Sequence, residues 1–411
     1  MKNNWKKNII LFLTSQNISL FGSSLVQYAI MWYITLETQS GVMMTIYIIC
    51  GFLPTFFLSP FAGVWADRYH RKLLIMVSDT IIAMVTLFLA ILFFLGFETL
   101  WLLFVISAVR ALGSAIQMPA VGAFIPQLVP ENKLTQVNAT NGSIQSLVTL
   151  VSPMVSAALL TMSNIETIFF IDVFTAAIAV LTLLFFLKVP VHKKALDKNP
   201  VSYLNDLRAG LAYVKNHDYV RNFFLFCAVF LFLVAPVAFL TPLQVARSFG
   251  EDVWRLTAIE ITFSIGMIIG GIVMASWGGF KNKIYTMTLS CLITGACTFA
   301  LGVVSNFWVY LIFMVICGIS MPIFNTPSTV LLQEKVEEDF LGRVFGVLTM
   351  ITSSVMPIGM LVFGPISDVI KIEWLLVGTG ILLFIQSFFL IGNKVLVEAG
   401  KPMLNPEIDP E

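Results

Sequence analysis

Long apolar runs separated by short polar segments make up most of the chain. An apolar stretch of about 20 residues is long enough to cross a bilayer as an α-helix. Twelve such runs occur, near residues 9–36, 41–65, 73–95, 99–121, 138–162, 166–188, 222–246, 254–277, 284–304, 307–330, 344–369 and 373–394. The pattern predicts an all-α integral membrane protein with twelve transmembrane helices.

The longest polar segment lies in the middle of the chain and divides the twelve runs into six and six. It predicts a six-helix bundle over 1–189, a cytoplasmic linker over 190–221, a second six-helix bundle over 222–395 and a cytoplasmic tail over 396–411. The later part of the linker places four apolar side chains on one helical face, namely Leu204, Leu207, Leu211 and Val214. We therefore expect an amphipathic helix there, lying at the membrane surface.

Composition and charge agree with a membrane protein and predict its orientation. Of the 411 residues, 58% are apolar and 11% are charged, whereas a soluble domain carries about a quarter charged residues. With the N-terminus inside, 20 of the 24 Lys and Arg residues fall in the predicted cytoplasmic segments and 3 in the external ones. Because basic residues accumulate on the cytoplasmic side, we expect a multi-pass protein of a bacterial-type inner membrane with both termini cytoplasmic.

The sequence lacks the signatures of several classes of enzyme. Its only Gly-Lys dipeptide, at Gly400, is followed by proline, so the chain has no phosphate-binding P-loop. It has no zinc-type cluster of Cys and His and no Gly-x-Ser-x-Gly motif, and all five cysteines lie in apolar runs. We expect no enzyme activity, no cofactor, no metal and no nucleic-acid partner.

Four ionisable residues lie about two helical turns or more inside predicted spans, where a charge is costly and usually functional, whereas Asp368 ends span eleven as a rim residue. Arg110 lies near the middle of span four, and Asp79, Asp172 and Glu260 lie about two turns into spans three, six and eight. Removal from water favours the neutral form of a carboxyl group and a nearby cation favours the ionised form, so a buried acid can exchange a proton. We assign proton coupling to these four residues, with a structural tie between helices as the alternative for each.

Neutral polar residues and methionines inside spans predict a cavity for an amphipathic small molecule. Candidates lie in spans one, seven and ten: Gln27, Ser23, Met31, Gln244, Met321 and Asn325. Contacts between helices and contacts with lipid are the alternative explanations for such residues.

A charged segment between the second and third spans carries a motif of defined spacing. Residues 63–72 read Gly-x-x-x-Asp-Arg-x-x-Arg-Lys, with the acid at Asp67. This segment resembles the loop 2–3 signature of the major facilitator superfamily. Segments 52–54, 206–214 and 341–344, and the segment around Glu260, resemble the macrolide-efflux permeases and related drug:proton antiporters of that superfamily.

The resemblance implies the major facilitator fold and export of amphipathic compounds in exchange for protons by alternating access. It implies that Arg110 corresponds to the family's span-four arginine, and it associates the loop 2–3 acid with the cytoplasmic end of span eleven. The residues that we expect to control the gate are therefore Gly63, Asp67, Arg68, Arg71 and Arg343.

Alternatives to this function stay open at the level of sequence. Another carrier of the same fold, such as a siderophore exporter or a nutrient symporter, would differ in cargo or direction. A receptor or scaffold would leave the buried charges without a role beyond folding. For a carrier, we expect small-molecule substrate, protons and the lipid bilayer as partners, and a monomeric state.

Overall fold

A computed structural model describes residues 5–130, 133–187 and 203–401. Helices make up nearly all of these residues, and no strand occurs among them. In chain order the first eight helices are α1 (Trp5–Thr38), α2 (Gly41–Arg68), α3 (Arg71–Phe94), α4 (Leu100–Leu128), α5 (Leu134–Met162), α6 (Ile165–Phe186), α7 (Tyr203–Asn216) and α8 (Asp218–Phe239). The others are α9 (Thr241–Ser248), α10 (Val253–Trp277), α11 (Lys283–Val303), α12 (Phe307–Lys335), α13 (Glu338–Val369), α14 (Ile372–Gly392) and α15 (Lys394–Ala399).

The predicted all-α fold with twelve membrane spans is confirmed. Within the described ranges, twelve helical segments are long and apolar enough to cross a membrane, and each coincides with a predicted span. Several helices run further than their apolar runs, because a polar side chain does not interrupt the backbone hydrogen bonds of a helix. For example, α2 continues to Arg68 and α4 continues to Leu128.

The seventh span consists of two helices, which the sequence did not predict. Its apolar run is divided at Leu240 into α8 and α9, and Pro242 occupies the first turn of α9, where a proline is well tolerated. Gln244 lies in α9 and is buried. Its amide nitrogen donates to the Leu301 carbonyl at 2.8 Å, and its amide oxygen accepts from the Tyr310 hydroxyl at 2.9 Å. Gln244 therefore joins α9 to α11 and α12.

The described residues fall into two compact units. The first lies within the bounds Met1–Gln39, Met43–Val201 and Glu251–Thr257. The second lies within Ser40–Val42, Ser202–Gly250 and Ala258–Glu411. The helix α7 in the predicted linker belongs to the second unit, and the linker residues 190–202 and tail residues 402–411 lie outside the described ranges.

Apolar side chains of α1, α3, α4 and α6 form the core of the first unit. Phe12 and Phe124 pack edge to face with their ring centroids 5.0 Å apart, and Phe93 and Phe169 pack in the same way at 5.6 Å. All four rings are buried. Since lipid is as apolar as a protein core, close packing of this kind, rather than escape from water, holds membrane helices together.

In the second unit, α10 and α12 approach each other at glycines. A Cβ atom added at Gly318 would overlap the carbonyl oxygen of Phe263, and its distance to the Cα of Gly266 would be 3.0 Å. Only a glycine at position 318 allows the two backbones to come this close.

The helix α7 contacts α13 through Tyr213 and Gly210. Tyr213 is buried and stacks between the His217 ring at 3.9 Å and the Phe340 ring at 4.8 Å, and Gly210 lies against the Arg343 carbonyl. Leu211, which belongs to the predicted apolar face, is 44% exposed. Contact of that face with the membrane surface stays a prediction.

Candidate functional site

A buried ion pair joins α4 to α6 in the first unit. Arg110 and Asp172 are 9% and 0% exposed, and the guanidinium Nη1 lies 2.5 Å from Asp172 Oδ2. An isolated charge in this environment would be strongly unfavourable, whereas the pair is neutral overall. The structure thus supplies the partner that a charge in the middle of span four requires.

Two further helices hold this ion pair in place. The Arg110 guanidinium also donates to the Thr86 hydroxyl of α3. The Ser23 hydroxyl of α1 donates to Asp172 Oδ1 at 3.0 Å, and the Ser23 carbonyl accepts from Arg110 Nη2 at 3.4 Å. Beside it, a Cβ atom at Gly22 would overlap Thr175 and lie 3.2 Å from Asp172 Oδ1, so only glycine lets α1 approach the carboxylate.

A second buried acid, Asp79 of α3, is surrounded by neutral groups. It is 2% exposed. Gln16 Nε2 donates to its Oδ2 at 3.2 Å, and its Oδ1 accepts from the Ser19 hydroxyl at 3.3 Å and from Gln117 Nε2 at 2.5 Å. Among the residues that the structure describes, Asp79 has no ion-pair partner. We call Asp79, Gln16, Ser19 and Gln117 the Asp79 cluster.

The two polar sites share the antiparallel helices α3 and α4. Asp79 and Thr86 are seven residues apart on α3, and Arg110 and Gln117 are seven residues apart on α4. Seven residues make two helical turns, so each pair lies on one helical face. Sequence analysis missed Gln117 and Thr86, although this spacing from Arg110 and Asp79 was a usable signal.

Glu260, the fourth predicted proton-coupling residue, belongs to the second unit. It is half-buried in α10 and forms no hydrogen bond or ion pair with any residue in the described ranges. The structure therefore brings together Arg110 and Asp172 and places Asp79 on an adjoining helix, but it does not include Glu260 in that group. The same described part contains no group of three or more His, Cys, Asp and Glu side chains that could hold a metal ion.

The second unit contains a cavity of about 590 Å³ bounded by α8, α10, α12 and α13. Phe230 and Phe324 line it and stack on each other with ring centroids 4.4 Å apart. Its polar contributors are the amide of Asn325 and the hydroxyls of Ser328, Thr329, Thr349 and Thr352. Its size lies within the range of about 300–1,000 Å³ that is typical of small-molecule sites.

The six predicted cavity residues lie in different surroundings. Met321 and Asn325 line the cavity of the second unit. Gln244 does not line it, because both ends of its amide are engaged in joining helices. On α1, Gln27 is exposed, Met31 is half-buried and Ser23 takes part in the ion-pair network.

The predicted gating residues are described only in part. The side chains of Asp67 and Arg68 lie outside the described part of the structure, and Gly63 is half-buried. Arg71 donates to the carbonyls of Ala66 at 3.0 Å and Ala123 at 2.8 Å, a favourable place for a cation at the end of α2. Arg343 is exposed, with its guanidinium 5.4 Å from the centre of the Phe340 ring.

Asp368 of α13 forms a polar cluster in the second unit. Its carboxylate accepts from the backbone N–H groups of Gly41 at 2.7 Å and Val42 at 3.0 Å and from the Ser40 hydroxyl at 2.7 Å. Arg247 donates to it at 2.7 Å. A carboxylate at these amides is favourable, because the first N–H groups of a helix lack partners within it.

Comparison with known proteins places this architecture in a family. Residues 9–360 match the family model described as Major Facilitator Superfamily. The chain belongs to the major facilitator superfamily. As a member of that superfamily, it is a multi-pass membrane protein with the fold of a transporter.

Three relatives cover between 75% and 93% of this chain. Macrolide efflux protein A of Streptococcus pyogenes is 30% identical over 92% of this chain and 94% of its own length. Macrolide efflux protein A of Enterococcus faecalis is 31% identical over 75% of this chain and 96% of its own length. The Staphyloferrin A transporter of Staphylococcus aureus is 23% identical over 93% and 96% of the two chains.

Solved structures of major facilitators share the fold. A mutant form of the nucleoside transporter NupG superposes with a TM-score of 0.71 at 15% identity, covering 95% of this chain and 99% of its own. A bacterial homologue of the human lysosomal transporter Spinster, in an inward-facing and unoccupied conformation, gives a TM-score of 0.73 at 12% identity and covers 98% and 100%.

Proposed function

We propose that this major facilitator exports drug-like amphipathic compounds, with macrolide-type antibiotics as the main class, in exchange for protons by alternating access. The observation that carries the proposal is the 30% identity to a macrolide efflux protein over 92% of the chain. Similarity over 92% of the chain leaves little of either unit outside the match.

The cavity of the second unit supports an amphipathic substrate. Its apolar lining groups are stacked aromatic rings and methionine side chains, and its polar lining groups are an amide and several hydroxyls. A macrolide presents both an apolar skeleton and many oxygen atoms. We assign substrate contacts in this cavity to Met321 and Asn325 of α12.

The buried ionisable residues support proton exchange. Ionisable groups within membrane spans are expensive and commonly mark proton pathways. The candidates for this coupling are Arg110, Asp172 and Asp79 in the first unit and Glu260 in the second. The transporter then needs no cofactor and catalyses no chemical reaction.

We extend the proposal to the conformational cycle and the setting of the protein. Gly63, Asp67, Arg68 and Arg71, together with Arg343, control the gate. The protein is a monomer in a bacterial-type inner membrane with both termini in the cytoplasm.

A siderophore is the second candidate cargo, because the transporter for staphyloferrin A covers 93% of this chain at 23% identity. The residues that line the cavity in the described part are uncharged. An uncharged lining suits a largely apolar molecule better than a metal chelator with many polar oxygens. This difference favours the macrolide class.

Drug susceptibility tests the proposed function. Cells that express the protein, and vector controls, are challenged with a macrolide panel, and ethidium efflux is followed with and without a proton uncoupler. We expect raised macrolide resistance and faster efflux, both abolished by the uncoupler. Normal susceptibility together with uptake of a solute, or resistance that survives the uncoupler, would contradict export by proton exchange.

A further inference from the structure

The Asp79 cluster differs from the other buried acid sites in its charge balance. Arg110 and Asp172 form a neutral pair, and a proton added to Asp172 would leave a buried guanidinium without its counter-ion. Breaking a buried pair in this way is strongly unfavourable. Asp79 has no ion-pair partner in the described part of the chain, so a proton can join or leave it without breaking an ion pair.

The neighbours of Asp79 can serve both of its protonation states. When the carboxyl group is ionised, it accepts from Gln16 Nε2, the Ser19 hydroxyl and Gln117 Nε2. When it is protonated, its O–H needs an acceptor. Glutamine carries an amide oxygen as well as an amide nitrogen, and a hydroxyl both donates and accepts. The Gln16 amide oxygen is already in the cluster, where it accepts from Gln117 Nε2 at 3.4 Å.

Helices α1, α4 and α6 set the electrostatic surroundings of Asp79. From α1 it meets the neutral side chains of Gln16 and Ser19, and from α4 it meets Gln117. The charged groups nearby are Arg110 of α4 and Asp172 of α6, which are paired with each other. Gln117 is partly exposed. It therefore links the buried carboxyl group to the surface of the unit.

Glu260 lacks such surroundings. It forms no hydrogen bond with any side chain or backbone group in the described ranges, so neither its ionised nor its protonated form is supported by protein partners. A group that changes its protonation in each cycle is held best where protein partners serve both of its forms, as they do at Asp79.

We propose that Asp79 is the carboxyl group that releases a proton when substrate binds, with Gln16 and Gln117 as positioning residues, while Arg110 and Asp172 stay paired. This inference rests on the proposed function and names the group that performs its proton exchange. It assigns to one acid of α3 the role that the sequence divided among four residues.

Proton release in solution tests the assignment directly. Purified protein in detergent and weak buffer is mixed with erythromycin, and released protons are measured with a pH indicator while binding is measured with radiolabelled erythromycin. The wild type should release protons on binding. Asp79→Asn should bind but release none, and Asp79→Glu, which keeps the carboxyl group, should restore release. Glu166→Gln, which removes a less buried acid in the first turn of α6, is the matched control and should behave as the wild type.

Two results would overturn the assignment. One is proton release by Asp79→Asn that equals that of the wild type. The other is that Glu260→Gln loses proton release while Asp79→Asn retains it. If the wild type binds erythromycin without releasing protons, proton exchange itself fails and the assignment fails with it. A wild type that binds without releasing protons therefore contradicts the proposed proton exchange. A wild type that releases protons, together with undiminished release by Asp79→Asn, contradicts only the assignment to Asp79.

A measurement on the unmodified protein covers the case in which Asp79→Asn does not fold. Dicyclohexylcarbodiimide, an apolar reagent, modifies protonated carboxyl groups within membranes, and mass spectrometry locates the modified residue. We expect labelling of Asp79 that decreases when erythromycin is added. If Glu260 is labelled, its labelling decreases when erythromycin is added and Asp79 is not labelled, the proposal is contradicted.

Discussion

At the scale of single residues, the buried polar side chains of the first unit form two sites that differ in their charge balance. Arg110 and Asp172 hold each other through a direct ion pair, and Ser23 and Thr86 fix its geometry. Asp79 has only neutral partners in the described ranges. The first arrangement stabilises a particular packing of α1, α3, α4 and α6, whereas the second allows a change of protonation.

The ion pair makes a prediction about stability. Asp172→Leu leaves the Arg110 guanidinium buried without a counter-ion, so we expect it to lower the free energy of unfolding by about 3–5 kcal/mol. The double variant Arg110→Leu/Asp172→Leu should recover most of this loss, because it removes both charges. Thermal unfolding in detergent measures both effects.

An exposed pair provides the control for this measurement. Asp218 and Arg221 form an ion pair in which both side chains are more than half exposed. Asp218→Leu should change the stability by no more than about 1 kcal/mol, since water already solvates both charges. A double variant as unstable as Asp172→Leu would show that the charges are not the cause.

At the scale of helices, close contact between backbones limits which residues are tolerated. Gly318 of α12 faces the Phe263 carbonyl and Gly266 of α10, and there is no room for a Cβ atom between them. The same two helices border the cavity through Phe263 and Met321. Their separation therefore determines both the packing of the second unit and the shape of its cavity.

Gly318→Ala tests this contact. The added methyl group must push α10 and α12 apart, and we expect a loss of stability of about 1–3 kcal/mol, as for other overpacked interiors. Gly271→Ala in α10 is the matched control, because an added Cβ atom there meets no other atom within 4 Å. The apparent melting temperature of each variant in detergent measures the effect. Equal values for the two variants would contradict the role of the close approach.

Helix positions could be predicted from sequence much more completely than contacts between them. Apolar runs of membrane-spanning length identify twelve spans, since length and hydropathy are local properties. The break at Leu240 lies inside a predicted span, two residues before Pro242, and the mean hydropathy of the span does not mark it. The partner of Arg110 is 62 residues away along the chain, and only tertiary structure identifies Asp172 among the acids.

At the scale of the whole molecule, the proposed function requires a cycle of conformations in a chain with two compact units. The chain belongs to the major facilitator superfamily and shares its fold. The loop between α2 and α3 carries the residues that the family resemblance associates with the gate, from Gly63 to Arg71.

Asp67→Asn tests the control of the cycle. Removal of the charge should shift the protein toward its inward-facing state and change the accessibility of single cysteines placed at the cytoplasmic ends of α2 and α13. Labelling with a membrane-impermeant maleimide, in a background without the five native cysteines, measures this change. Asp218→Asn, at the exposed ion pair of α8, is the control and should leave the labelling unchanged. Identical labelling of Asp67→Asn and the wild type would contradict a gating role for this acid.

The contact of Gly22 with Thr175 has a consequence for the evolution of the chain. A Cβ atom at position 22 would overlap the Thr175 hydroxyl, and the Asp172 backbone and carboxylate lie just beyond it. A lineage that replaces Thr175 by alanine or glycine removes the overlap, and alanine then becomes acceptable at position 22. Residues 22 and 175 should therefore change together among descendants of a common ancestor, although they lie on the first and sixth spans and are far apart in the sequence.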